Sequence, residues 1–258
     1  MKFIAVILFI LSIARPSRAQ EITVAAAADL RPALEELAAK FEASSGVHVK
    51  LTYGSSGNFF QQIQNGAPFD IFFSANTDYA KKLESSGLTV PGTYYEYARG
   101  KIVIMVPNQS ALDLQAGLRT LLGPGVKKIA IADPAHAPYG QAAVAALKSQ
   151  SIYDQVSPKL VVGENISQAA SFVLSGAADA GVVALSLALS PSARSQVRYA
   201  EIPADSYPPI QQACVVIKSS KMVEQTRQFQ TFIQSAESSK SFERYGFEVP
   251  RNHQKALQ

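Results

Sequence analysis

The sequence predicts an α/β protein built from two successive units, with the chain passing between them twice. Three observations lead there. Short apolar runs alternate with amphipathic helical stretches, which implies sheets with βα crossovers. That pattern restarts near Lys101 after an interruption. A last apolar strand, near Gln212, follows the stiff Pro208-Pro209 pair, as a return of the chain to the first unit would require.

In the first unit, residues 21–28 read as a buried strand and residues 31–41 as a helix carrying Leu34, Leu37, Ala38 and Phe41 on one face. Val47, Val49, Leu51 and Tyr53 alternate with polar residues and mark a second strand. A helix over residues 59–64, a strand over 70–74 and a helix over 79–85 complete it. The second unit has strands expected at residues 101–106, 128–132, 160–163 and 180–184, with helices at 140–150 and 168–175 between them. A final strand at 212–217 and a helix at 222–235 close the chain. The crossings are expected near Arg99-Gly100 and between Tyr207 and Gln212, and parallel sheets are expected throughout. The resulting division is residues 20–99 with 212–258 in the first lobe and 100–211 in the second.

Residues 1–19 have the three parts of an export signal: Lys2, an apolar run from Phe3 to Ile13, and small residues at Ser17-Arg18-Ala19. The run is shorter than the roughly 20 residues of a spanning helix. No cysteine follows it, which argues against a lipid anchor, so the expectation is a soluble periplasmic protein. Hydrophobic residues make up 47% and charged residues 17% of the chain, enough apolar material for a packed core. The net charge of +4 includes Lys2, Arg15 and Arg18, so without the signal it falls to +1. A nearly neutral protein has no electrostatic claim on nucleic acid or an anionic membrane. Cys214, the only cysteine, sits in the apolar run Ala213 to Ile217 and is expected to be a buried, inert thiol.

Ligands of open α/β sheets bind at the carboxyl ends of strands, and three such places stand out. Ala25 to Leu30 passes from strand to helix with small residues and free N–H groups, an arrangement suited to an anion. Asp29 there is expected to cap the helix with its carboxylate, leaving its backbone N–H to a ligand. Gly54-Ser55-Ser56-Gly57 offers two hydroxyls and backbone donors between glycines, as a turn with a serine cap also would. Asp133 to Gly140 leads into a third helix start at Pro138-Tyr139-Gly140. His136 in that loop is expected to be structural or exposed, and Asn165-Ile166-Ser167 adds a further strand-to-helix turn. A secreted serine hydrolase is a remote alternative, because it would need a base that only His48, His136 or His253 could supply.

The segments Ile22 to Leu34, Gly54 to Gly57, Asn65 to Ala75, Asp133-Pro134 with Ala137 to Gly140, Gly176 to Asp179, and Tyr245-Gly246-Phe247, in this order, resemble the periplasmic molybdate-binding proteins of ABC transporters. These belong to the type II solute-binding proteins. The resemblance implies two Rossmann-like lobes joined by two hinge strands and closing on an anion, with no enzymatic activity. It implies ligand contacts at Ala28, Asp29, Ser55 and Ser56, Tyr139 and Ile166, through hydroxyls and main-chain N–H groups, Ile166 by its backbone alone. Molybdate or tungstate would be the ligand, bound as the oxyanion, with no cofactor and no metal held by side chains. The partner would be the permease complex of an ABC transporter, and the protein itself a monomer. Other small anions, such as sulfate, thiosulfate or a phosphonate, are the alternative cargo on the same scaffold. Two departures from the family pattern stand out: Ala28-Asp29 replaces the usual hydroxyl or amide pair, and Ala184 stands where one branch has a tyrosine. The segment Phe69 to Ala75 is assigned to packing within the lobe.

Overall fold

The computed structural model describes residues 20–250; the expected export signal and His253 lie outside the described residues. Two five-stranded sheets form the molecule. In the first lobe, β1 (Glu21–Ala27) runs parallel to β2 (His48–Gly54) and β3 (Ile71–Ser74). Helix α1 (Arg31–Ser45) links β1 to β2, α2 (Ser56–Gln64) links β2 to β3, and α3 (Thr77–Ser85) follows β3. The chain then adds β4 (Tyr95–Gly100) and crosses to the second lobe through Lys101 alone, since β5 (Ile102–Pro107) already belongs to the other sheet.

The second lobe contains β6 (Ile129–Ala132), α4 (Pro138–Ser149), the short α5 (Tyr153–Val156), β7 (Leu160–Gly163), α6 (Ile166–Leu174), β8 (Ala180–Ala184), the short α7 (Leu185–Ala188) and β9 (Val197–Glu201). Its strand order is β7-β6-β8-β5-β9. The chain returns through residues 202–209 to β10 (Ile210–Val216), which lies between β3 and β4 in the first sheet, and ends in α8 (Val223–Ile233) and α9 (Ala236–Arg244).

The expectation of purely parallel sheets is corrected. In each sheet a parallel trio is extended by two further strands: β10 is antiparallel to β3 and β4, and β5 is antiparallel to β8 and β9. A strand that enters a sheet directly from the other lobe has no crossover helix to fix its direction. Strands β4 and β9 and helix α9 lie outside the elements expected from sequence. Each strand is a sheet edge, and half or more of β9 faces solvent, so neither carries the continuous apolar run of a buried strand. Helix α9 is polar apart from Ala236 and Phe242.

Alternation along β3 sends its two phenylalanines to opposite faces. Phe73 joins Leu34, Leu37, Phe41, Phe229 and Phe242 beneath α1, α8 and α9, while Phe72 joins Phe59, Ile63 and Leu83 beneath α2 and α3. Burying a side chain of this size contributes about 1.5 to 3 kcal/mol. At the start of β3, Asp70 accepts from the backbone N–H of Thr23 (2.6 Å) and from the Ser220 hydroxyl (2.6 Å), pinning β1, β3 and the end of β10 together. The core of the second lobe continues into Ala27, Ala28 and Ala75 of the first, whose small side chains let the lobes meet closely. Cys214 is fully buried, and burial pushes its thiol up to about 12.

Candidate functional site

Four strand-to-helix junctions converge where the lobes meet. From the first lobe come the 3-10 turn Ala28–Leu30 that follows β1, and the start of α2 after Gly54. From the second come the starts of α4 and α6. A narrow cleft with an open volume of about 10 Å³, room for about one water, is lined by Ala27, Ala28, Asp29, Gly54, Ser55, Ser56, Ala75, Ala137, Pro138, Tyr139 and Ile166. All six residues singled out from sequence therefore lie on its wall, three helix starts among them.

Each helix start contributes in a particular way. Ser55 caps α2, its hydroxyl accepting from the Asn58 N–H at 3.4 Å. Ser56 is fully buried and its Oγ accepts from the Ala75 N–H (2.9 Å), which fixes the oxygen and leaves the hydroxyl proton to donate. Pro138 opens α4 and has no N–H of its own, so the Tyr139 N–H in that first turn has no intrahelical acceptor. Asn165 caps α6 by accepting from Ser167 and Gln168, while the N–H of Ile166 precedes the first helical hydrogen bond. Tyr139 and Ile166, in the first turns of α4 and α6 and each at the positive end of a helix dipole, thus wall a space with little room for water, which suits a small anion.

The lobes are joined directly around this space. The Gly57 N–H donates to the carbonyl of the half-buried His136 (2.9 Å), a backbone contact across the cleft that gives this residue the structural place expected as one of its two alternatives. A Cβ on Gly57 would lie 2.7 Å from that carbonyl oxygen, which explains the glycine. Ser167 donates to the Ala28 carbonyl (2.9 Å) and Ser186 to the Asp29 carbonyl (2.7 Å).

Asp29 departs from its expected role. The turn it belongs to has no side-chain cap, and neither has α1. Its carboxylate is instead fully buried, where Oδ2 accepts from the Tyr139 hydroxyl (2.9 Å) and from Gln212 Nε2 (2.8 Å). Gln212 also donates to the Tyr139 oxygen (3.0 Å) and accepts at Oε1 from Tyr97 (2.8 Å), so four polar side chains form one buried cluster at the crossing strands. Oδ1 of Asp29 is buried with no hydrogen-bond partner among the described residues. Burial pushes this carboxyl up to about 6, against the opposing pull of Gln212, Tyr139 and its own backbone N–H. Burial and the neighbouring Asp29 push the Tyr139 phenol far above its ordinary range, and the same two causes act on Tyr97.

Comparison with known proteins agrees with this arrangement. Residues 22–248 match the family described as bacterial extracellular solute-binding protein. The chain belongs to that family. Among its relatives is the molybdate-binding protein ModA of Rhodobacter capsulatus, 33% identical over 238 residues, or 92% of each chain. The solved periplasmic molybdate-binding protein of Azotobacter vinelandii superposes with a TM-score of 0.84 at 33% identity, covering 89% of this chain and all of that one. A putative molybdenum transporter's substrate-binding domain from Clostridium difficile gives 0.67 at 28% identity, covering 90% and 99%. Membership places the chain among solute-binding proteins rather than enzymes, with the two-lobed α/β fold of that family.

As a solute-binding protein it has contacts that sequence reasoning missed. Gln212, Tyr97, Ser167 and Ser186 all shape the cleft or join its walls. One signal was present for Gln212, a long polar side chain that with Gln211 interrupts an otherwise apolar strand. The serines carried none, since a hydroxyl in a helix turn is ordinary. Among the described residues there is no group of three or more metal-ligating side chains, and no helix is long and apolar enough to cross a membrane.

Proposed function

We propose that this protein captures molybdate in the cleft between its lobes and delivers it to the permease of an ABC transporter in the periplasmic space, with tungstate as a second ligand of the same size and charge. The observation that carries this reading is the convergence of Ala28, Asp29, Ser55, Ser56, Tyr139 and Ile166, drawn from both lobes, on one small cavity. The names of the relatives favour molybdate over other anions. The energetics are adequate without any cation. Hydrogen bonds to a charged group contribute about 1.5 to 3 kcal/mol each, so about six supply roughly 9 to 18 kcal/mol. Micromolar to nanomolar binding needs about 8 to 12.

The Ser56 hydroxyl is held by the Ala75 N–H and has no histidine hydrogen-bonded to it among the described residues, so the geometry gives a hydrolytic nucleophile no support. The test is a comparison of melting temperature and calorimetric binding with molybdate, tungstate, sulfate and phosphate. Molybdate and tungstate are expected to raise the melting temperature by mass action, with sulfate and phosphate having little effect. Stabilisation by sulfate or phosphate alone would overturn the assignment.

A further inference from the structure

A dianion is suited by N–H and O–H donors and not by a carboxylate, yet Asp29 lies on the cleft wall. Its Oδ2 is satisfied twice, and its Oδ1 is buried with no hydrogen bond from another residue among the described ones. An ionised carboxylate in that state lacks a hydrogen bond and repels the ligand. A carboxylic acid has the reverse requirement, because a proton on Oδ1 needs an acceptor, and an anion oxygen in the cleft is one.

Resting on the oxyanion reading above, we propose that the site binds its anion together with one proton, held on Asp29 Oδ1 and donated in a hydrogen bond to an oxygen of the anion. The proton comes from solvent and returns there on release, and no other bond is made or broken. Oδ2 keeps both of its donors, Tyr139 and Gln212, in either protonation state.

The groups facing Asp29 support this assignment. From α1, the Arg31 guanidinium is turned away onto Glu35 (3.3 Å) and the Tyr53 ring (4.2 Å). From α4 and β4 come the phenols of Tyr139 and Tyr97, both kept neutral by burial. Strand β10 presents the neutral Gln212 and, further along, the buried Cys214 thiol. Helices α6 and α7 present only the Ser167 and Ser186 hydroxyls, bonded to main-chain carbonyls. Among the described residues, no cation pairs with Asp29. Burial already pushes its carboxyl up to about 6, and a dianion beside it pushes the same way.

Calorimetric titration with dilute sodium molybdate, in buffers of differing ionisation enthalpy between about pH 5.5 and 8.5, counts the protons taken up. Uptake of about one proton per anion is expected near neutral pH, with affinity falling by up to about tenfold per pH unit above pH 6. Asp29→Asn replaces the acid by a neutral isostere that still accepts and donates, so it should bind without proton uptake, independently of pH, and more tightly than the parent at pH 8. Molybdate binding with no proton uptake and a flat pH profile would overturn the proton while leaving the oxyanion reading intact. Proton uptake retained in Asp29→Asn would place the proton elsewhere and overturn the assignment to Asp29. No response to molybdate, tungstate, sulfate or phosphate even at the lowest pH would remove the oxyanion reading and this inference together.

Discussion

The two ends of the first lobe's sheet each hold an aspartate beside a strand, and the two are treated in opposite ways. At the packed end, both oxygens of Asp70 are taken up by Thr23 and Ser220, at 2.6 Å each. At the cleft end, Asp29 has one oxygen doubly bonded and the other unmatched, and it is the more deeply buried of the two. A carboxylate that serves packing is fully satisfied within the fold, because an unpaired buried acceptor costs about 1 to 3 kcal/mol. On the proposal above, the buried carboxyl left incomplete at the ligand cleft takes its remaining partner from outside the chain.

The strongest test of this contrast is the pH dependence of stability at Asp29. Its folded-state pKa of about 6 exceeds the ordinary 3.8, so the folded protein holds this proton more tightly than the unfolded one. The corresponding stability is fully present below about pH 4 and is lost as pH rises through about 6, a difference of about 3 kcal/mol. Asp29→Asn should therefore exceed the parent in denaturant stability at pH 8 by about that amount, with the gap closing near pH 4. An equal gap at both pH values would break the comparison. At the packed end, Asp70→Ala should cost about 2 kcal/mol, since it strands the Thr23 N–H and frees Ser220. Molybdate affinity of the folded variant should be unchanged by titration calorimetry, and a large loss would mean that the packed end reaches the cleft.

A smaller effect belongs to Ser56→Ala, which removes a buried donor that Ala75 holds in place. Molybdate should bind about tenfold more weakly, equivalent to about 1.4 kcal/mol, and the ligand-free melting temperature should fall as well, because the buried Ala75 N–H loses its acceptor. Unchanged affinity would take Ser56 off the list of donors. The smallest effect is expected at Cys214, midway between the two ends. With its thiol buried and pushed up to about 12, it should resist thiol reagents in the native protein and react only on unfolding. Rapid labelling of native protein would show that the strand opens.

Much of this was legible in the sequence because the features concerned are local. The runs that became β1, β3, β5 and β8 are continuous and apolar, and the glycine, serine and proline signals at residues 54–57 and 137–140 mark helix starts through the chemistry of the turn itself. What escaped was set by distant partners. Strand β9, Val197–Glu201, exists because β5 offers it an edge, which its own alternating, exposed residues do not announce. The role of Asp29 depends on Tyr139 and Gln212, which lie 110 and 183 residues away, so no short-range rule distinguishes it from a helix cap. The antiparallel strands escaped for a similar reason, as their direction follows from where the chain re-enters each sheet.

Gly100, the last residue before the chain changes lobes, has one further consequence. A methyl group there would collide with the Tyr139 hydroxyl, and it would come within 2.8 Å of Gln212 Nε2. The crossing between the lobes and the two donors to the Asp29 carboxyl therefore share one spot, with Asp29 from the first lobe bonded to Tyr139 from the second. On the proposal above, a movement that draws Tyr139 away from Asp29 would sour the cleft as it unlatches, releasing the proton along with the cargo.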